Sequence, residues 1–183
     1  MIEISPLTTL SLADLERVAG GYTSNGKYEV TYSDSEEQSS IRLQFVENQK
    51  PYVKNFDHDD ETLQRYLELL PNGFSFGAYD NDLLVGILLA KPREWNRSLW
   101  VWEFHVAESH RNQGIGKRLM ERAVESAKLI NLRTIICETQ NTNANAIHIY
   151  RKLGFRAEGI DISYYTNNDH PDGEVAVFMK RRL

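Results

Sequence analysis

The chain has 183 residues, 41% of them hydrophobic and 26% charged, with a formal net charge of −5 and a pI near 5.6. This length suits one domain over residues 1–183 with a full core, and the acidic balance argues against a dedicated nucleic-acid binder. A single cysteine, Cys137, excludes an internal disulfide and fits a reducing compartment. The opening MIEISPLTTL has neither the basic start nor the long apolar run of a secretory signal. The longest apolar stretch, residues 83–90, falls far short of the roughly 20 residues that span a bilayer. A cytoplasmic protein with no membrane partner is expected.

Ser11 with Asp14 resembles a capping box, and Leu12, Leu15, Val18 and Ala19 follow at helical spacing until Gly20-Gly21. Residues 22–40, including SDSEEQSS, read as a hairpin tip or polar loop between strands near 28–32 and 41–46. Asp59 or Asp60 can cap a helix through Leu63, Tyr66, Leu67 and Leu70, stopped by Pro71-Asn72-Gly73. Residues 74–79, 83–91 and 99–106 read as an antiparallel meander, turning at Asp80-Asn81-Asp82 and at Glu94-Trp95-Asn96-Arg97. A helix after Gly114 puts Ile115, Leu119, Ala123, Ala127 and Ile130 on one face. A short buried strand, 133–138, precedes a second helix, 141–153, with Ala146, Tyr150 and Leu153 on one face and Gly154 at its end. Two final strands, 155–165 and 174–180, close the chain. This mixed order predicts an α/β (α+β) fold.

Residues 99–120, LWVWEFHVAESHRNQGIGKRLM, carry the clearest chemical signal. A strand feeds a loop ending in Arg111-x-x-Gly114-x-Gly116-Lys117, which opens the amphipathic helix. Unpaired N–H groups point outward at such a helix start, and the helix dipole favours negative charge there. Arg111, Lys117 and Arg118 add cations, so a phosphate or pyrophosphate is the expected ligand. The spacing is wrong for a Walker A loop, and Leu119 stands where a dinucleotide fingerprint needs its third glycine.

Arg111-Asn112-Gln113-Gly114-Ile115-Gly116 resembles the Q/R-x-x-G-x-G/A signature of the GNAT acetyltransferases. Downstream, Asn143-x-x-Ala146-x-x-x-Tyr150-x-x-x-Gly154-Phe155 resembles the same family's second pattern. Together they cover residues 74–180, the expected acetyl-CoA-binding core, and leave 1–73 as a variable N-terminal part. Trp95-Asn96-Arg97, Glu138-Thr139-Gln140, Gly154-Phe155 and Glu174-x-Ala176-Val177-Phe178 look most like the streptothricin acetyltransferases.

The resemblance implies a mostly antiparallel central sheet flanked by helices, with two central strands splayed. It implies acetyl-CoA as co-substrate, its pyrophosphate on the backbone amides of about Gln113, Gly114, Ile115, Gly116 and Lys117, with the Arg111 and Lys117 side chains adding charge-assisted contacts and Asn112 in the same cofactor-binding loop. Its pantetheine arm would pair with the backbone of Phe104, His105 and Val106, and Asn143, besides capping its helix, would contact the same ligand. Tyr150 matches the tyrosine near the sulfur and is the candidate acid, or else a core aromatic. Glu103 matches a strand glutamate that acts as base through water, or else is a structural partner for a nearby Arg or Tyr.

Strand alternation sets Trp100, Trp102, Phe104 and Val106 on one face and Leu99, Val101, Glu103 and His105 on the other, so His105 is a second candidate base. Glu138, Trp95, Tyr164 and Tyr165 are candidate acceptor-site residues, the aromatics alternatively core and Glu138 alternatively a strand-end hydrogen-bonding residue. The histidines show no metal-ligand spacing, so no metal is expected. The acceptor expected is a small-molecule amine; a peptide acceptor, or a CoA-binding module without catalysis, stays open. A homodimer is carried as the assembly to test.

Overall fold

The computed structural model describes residues 1–183. In chain order its elements are β1 (Glu3–Pro6), α1 (Leu12–Val18), β2 (Gly21–Asp34), β3 (Ser39–Asn55), α2 (Asp60–Leu67), β4 (Phe76–Asp80), β5 (Leu83–Arg93), β6 (Ser98–Val106), α3 (Ile115–Leu129), β7 (Thr134–Gln140), α4 (Ala144–Lys152), β8 (Arg156–Asp161) and β9 (Ala176–Arg182). The fold is mixed α/β with a mostly antiparallel central sheet flanked by helices. The chain forms two compact units. One comprises residues 1–21, 55–136 and 182–183; the other comprises 22–54 and 137–181.

In the first unit the strands run β1-β4-β5-β6-β7, with the start of β7 at the end of the order. The predicted meander is present: β4 pairs β5 and β5 pairs β6, both antiparallel. Asn81 and Asp82 turn β4 into β5, both at positive φ (46° and 69°), where short polar side chains are tolerated. Strand β1 is absent from the expected elements: its four residues pair with β4 from Glu3↔Tyr79 to Pro6↔Phe76. Ser11 and Asp14 form the reciprocal capping box of α1, and Asp59 caps α2 by accepting from the Thr62 amide at 2.8 Å. On α3 the buried face is Ile115, Leu119, Met120, Ala123, Val124 and Ala127. Ile130, expected on that face, lies past the last turn and is half exposed.

One bulge corrects the expected alternation of β6. Leu89 pairs Glu103 and Ala90 pairs Val101, which leaves Trp102 as an extra residue. Directly paired residues project to the same face. Lys91 and Leu89 share a face of β5 and pair with Trp100 and Glu103, so Trp100, Glu103 and His105 lie together on β6. Leu99, Val101, Phe104 and Val106 take the other face, where a Cβ built on Gly116 of α3 would stand 3.2 Å from the Phe104 ring.

In the second unit the order is β7-β9-β8, with the predicted closing hairpin β8–β9 antiparallel, and a separate two-stranded ribbon, β2–β3. The ribbon corrects the expected polar loop: β2 and β3 extend through it, leaving only residues 35–38 as the tip. β2 buries Ser24, Gly26 and Tyr28 on one face, while beyond Tyr28 the ribbon is exposed or only partly covered, where polar residues are suited. On α4 the buried face is Ala144, Ile147 and Tyr150; Ala146 and Leu153 are only partly covered.

Candidate active site

The loop before α3 is built from backbone. Gly114 is the N-cap of α3 at φ 78°, ψ 2°, with no side-chain cap, and Asn112 is also left-handed at φ 62°. A Cβ placed on Gly114 would meet nothing within 4 Å, so the glycine is kept for its backbone conformation and leaves a cradle a side chain would fill. The first helical amides, facing outward behind Gly114, are a donor set suited to a pyrophosphate.

Arg111 Nε donates to the Val106 carbonyl at 3.2 Å, which fixes the guanidinium beside the end of β6. Gln113 ties back to the Ser109 carbonyl at 3.3 Å. Lys117 is exposed and 3.7 Å from Glu121. Arg118, expected among the cations around the loop, donates from Nη2 to the Ile2 carbonyl at 3.0 Å. Side chains of Phe104 and Val106 face α3.

Glu103 sits in a cluster of the first unit. Its Oε1 accepts from the Tyr66 hydroxyl of α2, and its Oε2 lies 2.6 Å from His105 Nε2. The Phe56 ring meets the His105 ring edge-on, 6.0 Å between centroids. His58 Nε2 donates to the Ala19 carbonyl at 2.9 Å, and its ring adds positive character near Glu103. Burial alone would push the Glu103 carboxyl up; the hydrogen bond and charge of His105, the Tyr66 hydroxyl and His58 outweigh it, so the group stays below the ordinary carboxylate value. Tyr66 is pushed up by burial and by Glu103, so its hydroxyl remains a donor.

Tyr150, in the second unit, is 7% exposed, hydrogen-bonds Cys137 and packs on Phe155 at 5.5 Å. Burial pushes the Cys137 thiol up, which suits a core thiol and not a nucleophile. Asn143 caps α4 as predicted, its Oδ1 accepting from the Ala146 amide at 3.1 Å. Glu138 accepts from the Tyr165 hydroxyl, and Tyr164 stands edge-on to Tyr165 (5.2 Å) and to Phe178 (5.3 Å), so these residues form one group. Trp95 joins no such group: it is 83% exposed on the turn before β6.

Sequence reading missed Tyr66 and His58 near Glu103. Tyr66 matched the apolar face of its helix, and no spacing marked either as a partner of residue 103. It also missed the Glu174 carboxylate, which accepts from Thr142 (2.6 Å), Tyr22 (3.2 Å) and Tyr52 (3.3 Å) and pairs with Lys54.

Residues 41–155 match the Acetyltransferase (GNAT) family. A streptothricin acetyltransferase of Streptomyces lavendulae is 30% identical over 169 residues, 90% of this chain and 86% of the relative. The crystal structure of nourseothricin acetyltransferase superposes with a TM-score of 0.75 at 30% identity, covering 99% of this chain and 98% of that one. A Bacillus anthracis str. Ames protein assigned to the streptothricin acetyltransferases and solved with acetyl coenzyme A gives 0.74 at 25% identity, covering 100% and 98%. With the glycine cradle at the start of α3, these likenesses make the chain a member of the GNAT acetyltransferase family, an N-acetyltransferase whose co-substrate is acetyl-CoA.

Proposed function

We propose that the chain acetylates a primary amine of a small, streptothricin-like molecule. What carries this is the near-full-length likeness to streptothricin and nourseothricin acetyltransferases, joined to a loop whose free amides suit a pyrophosphate. Amines attack only when neutral, so a base must take a proton, and the departing thiolate needs one. The base belongs to the Glu103 cluster, where an anionic carboxylate and an imidazole stand 2.6 Å apart. Tyr150 is proposed as the acid; its phenol is buried beside the Cys137 thiol. Acetyl-CoA brings the acetyl thioester, and the loop 111–117 binds its phosphates.

Glu138, Tyr164 and Tyr165 are proposed as an acceptor wall, a carboxylate with aromatic faces suiting a cationic amine. A cytoplasmic location and a homodimer belong to the same proposal; cell fractionation and sedimentation test them. No helix is long and apolar enough to cross a membrane.

The test is thiol release from acetyl-CoA with streptothricin, other small amines and peptides, with the product identified by mass. Acetylated streptothricin is the expected product. Turnover on peptides alone would overturn the small-molecule acceptor, and tight acetyl-CoA binding with no product on any amine would overturn catalysis.

A further inference from the structure

We propose that His105, not Glu103, takes the proton from the acceptor ammonium, and that Glu103 and Tyr66 are positioning residues for it. This rests on the amine-acetylation reading above.

The geometry carries the assignment. An ionised carboxylate only accepts, so the 2.6 Å contact between Glu103 Oε2 and His105 Nε2 fixes the proton on Nε2. In its neutral form the ring carries its lone pair on Nδ1, and the partners His105 makes, Glu103 and the Phe56 ring, leave that nitrogen unengaged. Glu103 is differently placed. Both of its oxygens are already engaged by donors, one from Tyr66 and one from His105. A carboxylate held this way is stabilised as an anion and is a weak proton acceptor. What it does well is orient an imidazole and stabilise the imidazolium that forms, the division of labour of a carboxylate–histidine pair.

Glu103 and His105 both follow the bulge at Trp102, so regular alternation keeps them on one face, two residues apart, where an i, i+2 contact can close. Tyr66 locks the remaining carboxylate oxygen from α2, so the carboxylate cannot swing away from His105. His105 is 21% exposed in its side chain and Glu103 23%, so one solvent molecule can serve as relay.

The step balances. The ammonium gives its proton to Nδ1, directly or through one water, leaving an imidazolium paired with the Glu103 carboxylate. The neutral nitrogen forms a bond to the acetyl carbon as the carbon–sulfur bond breaks. The electron pair leaves on sulfur, which takes a proton from the proposed acid Tyr150. The acetylated nitrogen sheds its second proton, which restores the Tyr150 phenol through solvent, and the imidazolium returns its own proton to solvent.

His105→Gln separates the two assignments, because the Gln amide keeps a donor toward Glu103 but has no basic nitrogen. Expected is a kcat loss of about 10²-fold with the acetyl-CoA KM within about twofold of wild type. His105→Ala should lose as much and regain turnover, saturably, with added imidazole; Glu103→Gln should lose less and gain nothing from imidazole. Thermal midpoints report whether each variant folds. A folded His105→Gln with wild-type kcat, alongside an inactive Glu103→Gln, overturns this assignment and makes Glu103 the base. A wild-type enzyme that acetylates no amine overturns the functional reading and this assignment together.

Discussion

In the loop 111–117 the groups proposed to face a ligand are chiefly main-chain amides, and consecutive residues supply them. Around Glu103 they are side chains, and residues 56, 58, 66 and 105 supply them from α2, from β6 and from the segment between β3 and α2. The loop depends on backbone conformation: Gly114 and Asn112 stand at positive φ, and the start of α3 has no side-chain cap. The cluster depends on register: a single extra residue at Trp102 decides which side chains share a face with Glu103. A local backbone device tolerates change in its neighbours' side chains. A cluster assembled over long range is sensitive to any shift of the elements that meet there.

Two substitutions test this contrast where the effects are largest. Tyr150 is a side chain, yet it lies in a short motif with Asn143 and Phe155, so it joins features of both kinds. Tyr150→Phe keeps the ring on Phe155 and removes only the hydroxyl. Turnover should fall about 10²-fold with acetyl-CoA KM little changed; unchanged turnover, measured by thiol release, would remove its acid role. Gly114→Val acts on the loop. The left-handed conformation costs a residue with a Cβ about 1–2 kcal/mol and a β-branched one more. The free cradle shows that the damage comes from the backbone, and from crowding only when phosphate is seated. Acetyl-CoA affinity by calorimetry should drop about tenfold with kcat preserved; wild-type affinity would dismiss the loop as the phosphate site.

These two effects track what the sequence made legible. The meander, the capping box on α1, the Asp59 cap, the glycine turn before α3 and the Asn143 cap were readable because each is written within a few residues. The long ribbon β2–β3 was not, because the buried face of β2 is Ser24, Gly26 and Tyr28 and β3 buries no residue, so neither strand shows an apolar alternation. Strand β1 is four residues long and gains its place only by pairing with β4, which lies far along the chain. The facing of β6 was misread for a related reason: strict period-two counting fails at a bulge, and nothing in LWVWEFHV marks where the extra residue falls. Glu103 and His105 were found as a pair because the bulge precedes both. Tyr66 was hidden because on a helix it serves equally well as a packing residue.

Tyr66→Phe therefore probes the part of the cluster that sequence could not show. It removes the hydroxyl from Glu103 Oε1 and leaves the contact with His105 in place. A hydrogen bond to a charged group, partly replaced by water at a half-buried site, is worth on the order of 1 kcal/mol, which is about fivefold in kcat. Acetyl-CoA affinity should be untouched, the converse of Gly114→Val. If Tyr66→Phe weakened acetyl-CoA binding and left kcat intact, the cluster would belong to cofactor binding, and the contrast drawn with the loop would fail.

The smallest effects concern the cations near the loop, where sequence adjacency and structure disagree. Lys117 and Arg118 are neighbours, and by sequence both serve the phosphate turn. Lys117 is exposed and only loosely paired with Glu121, so its charge can turn toward a bound phosphate, but salt screens a charge so placed. Arg118 donates its guanidinium to the Ile2 carbonyl, tying the residue before β1 to α3. Lys117→Ala should raise acetyl-CoA KM about twofold at low ionic strength and have no effect near 1 M salt. Arg118→Ala should leave KM alone at either salt and lower the thermal midpoint by a few degrees, since it removes a tertiary hydrogen bond. The reverse result, with Arg118→Ala raising KM and the effect fading with salt, would mean that the arginine leaves Ile2 for the phosphates, and that charge position along the chain predicts function there better than the contact in the folded protein.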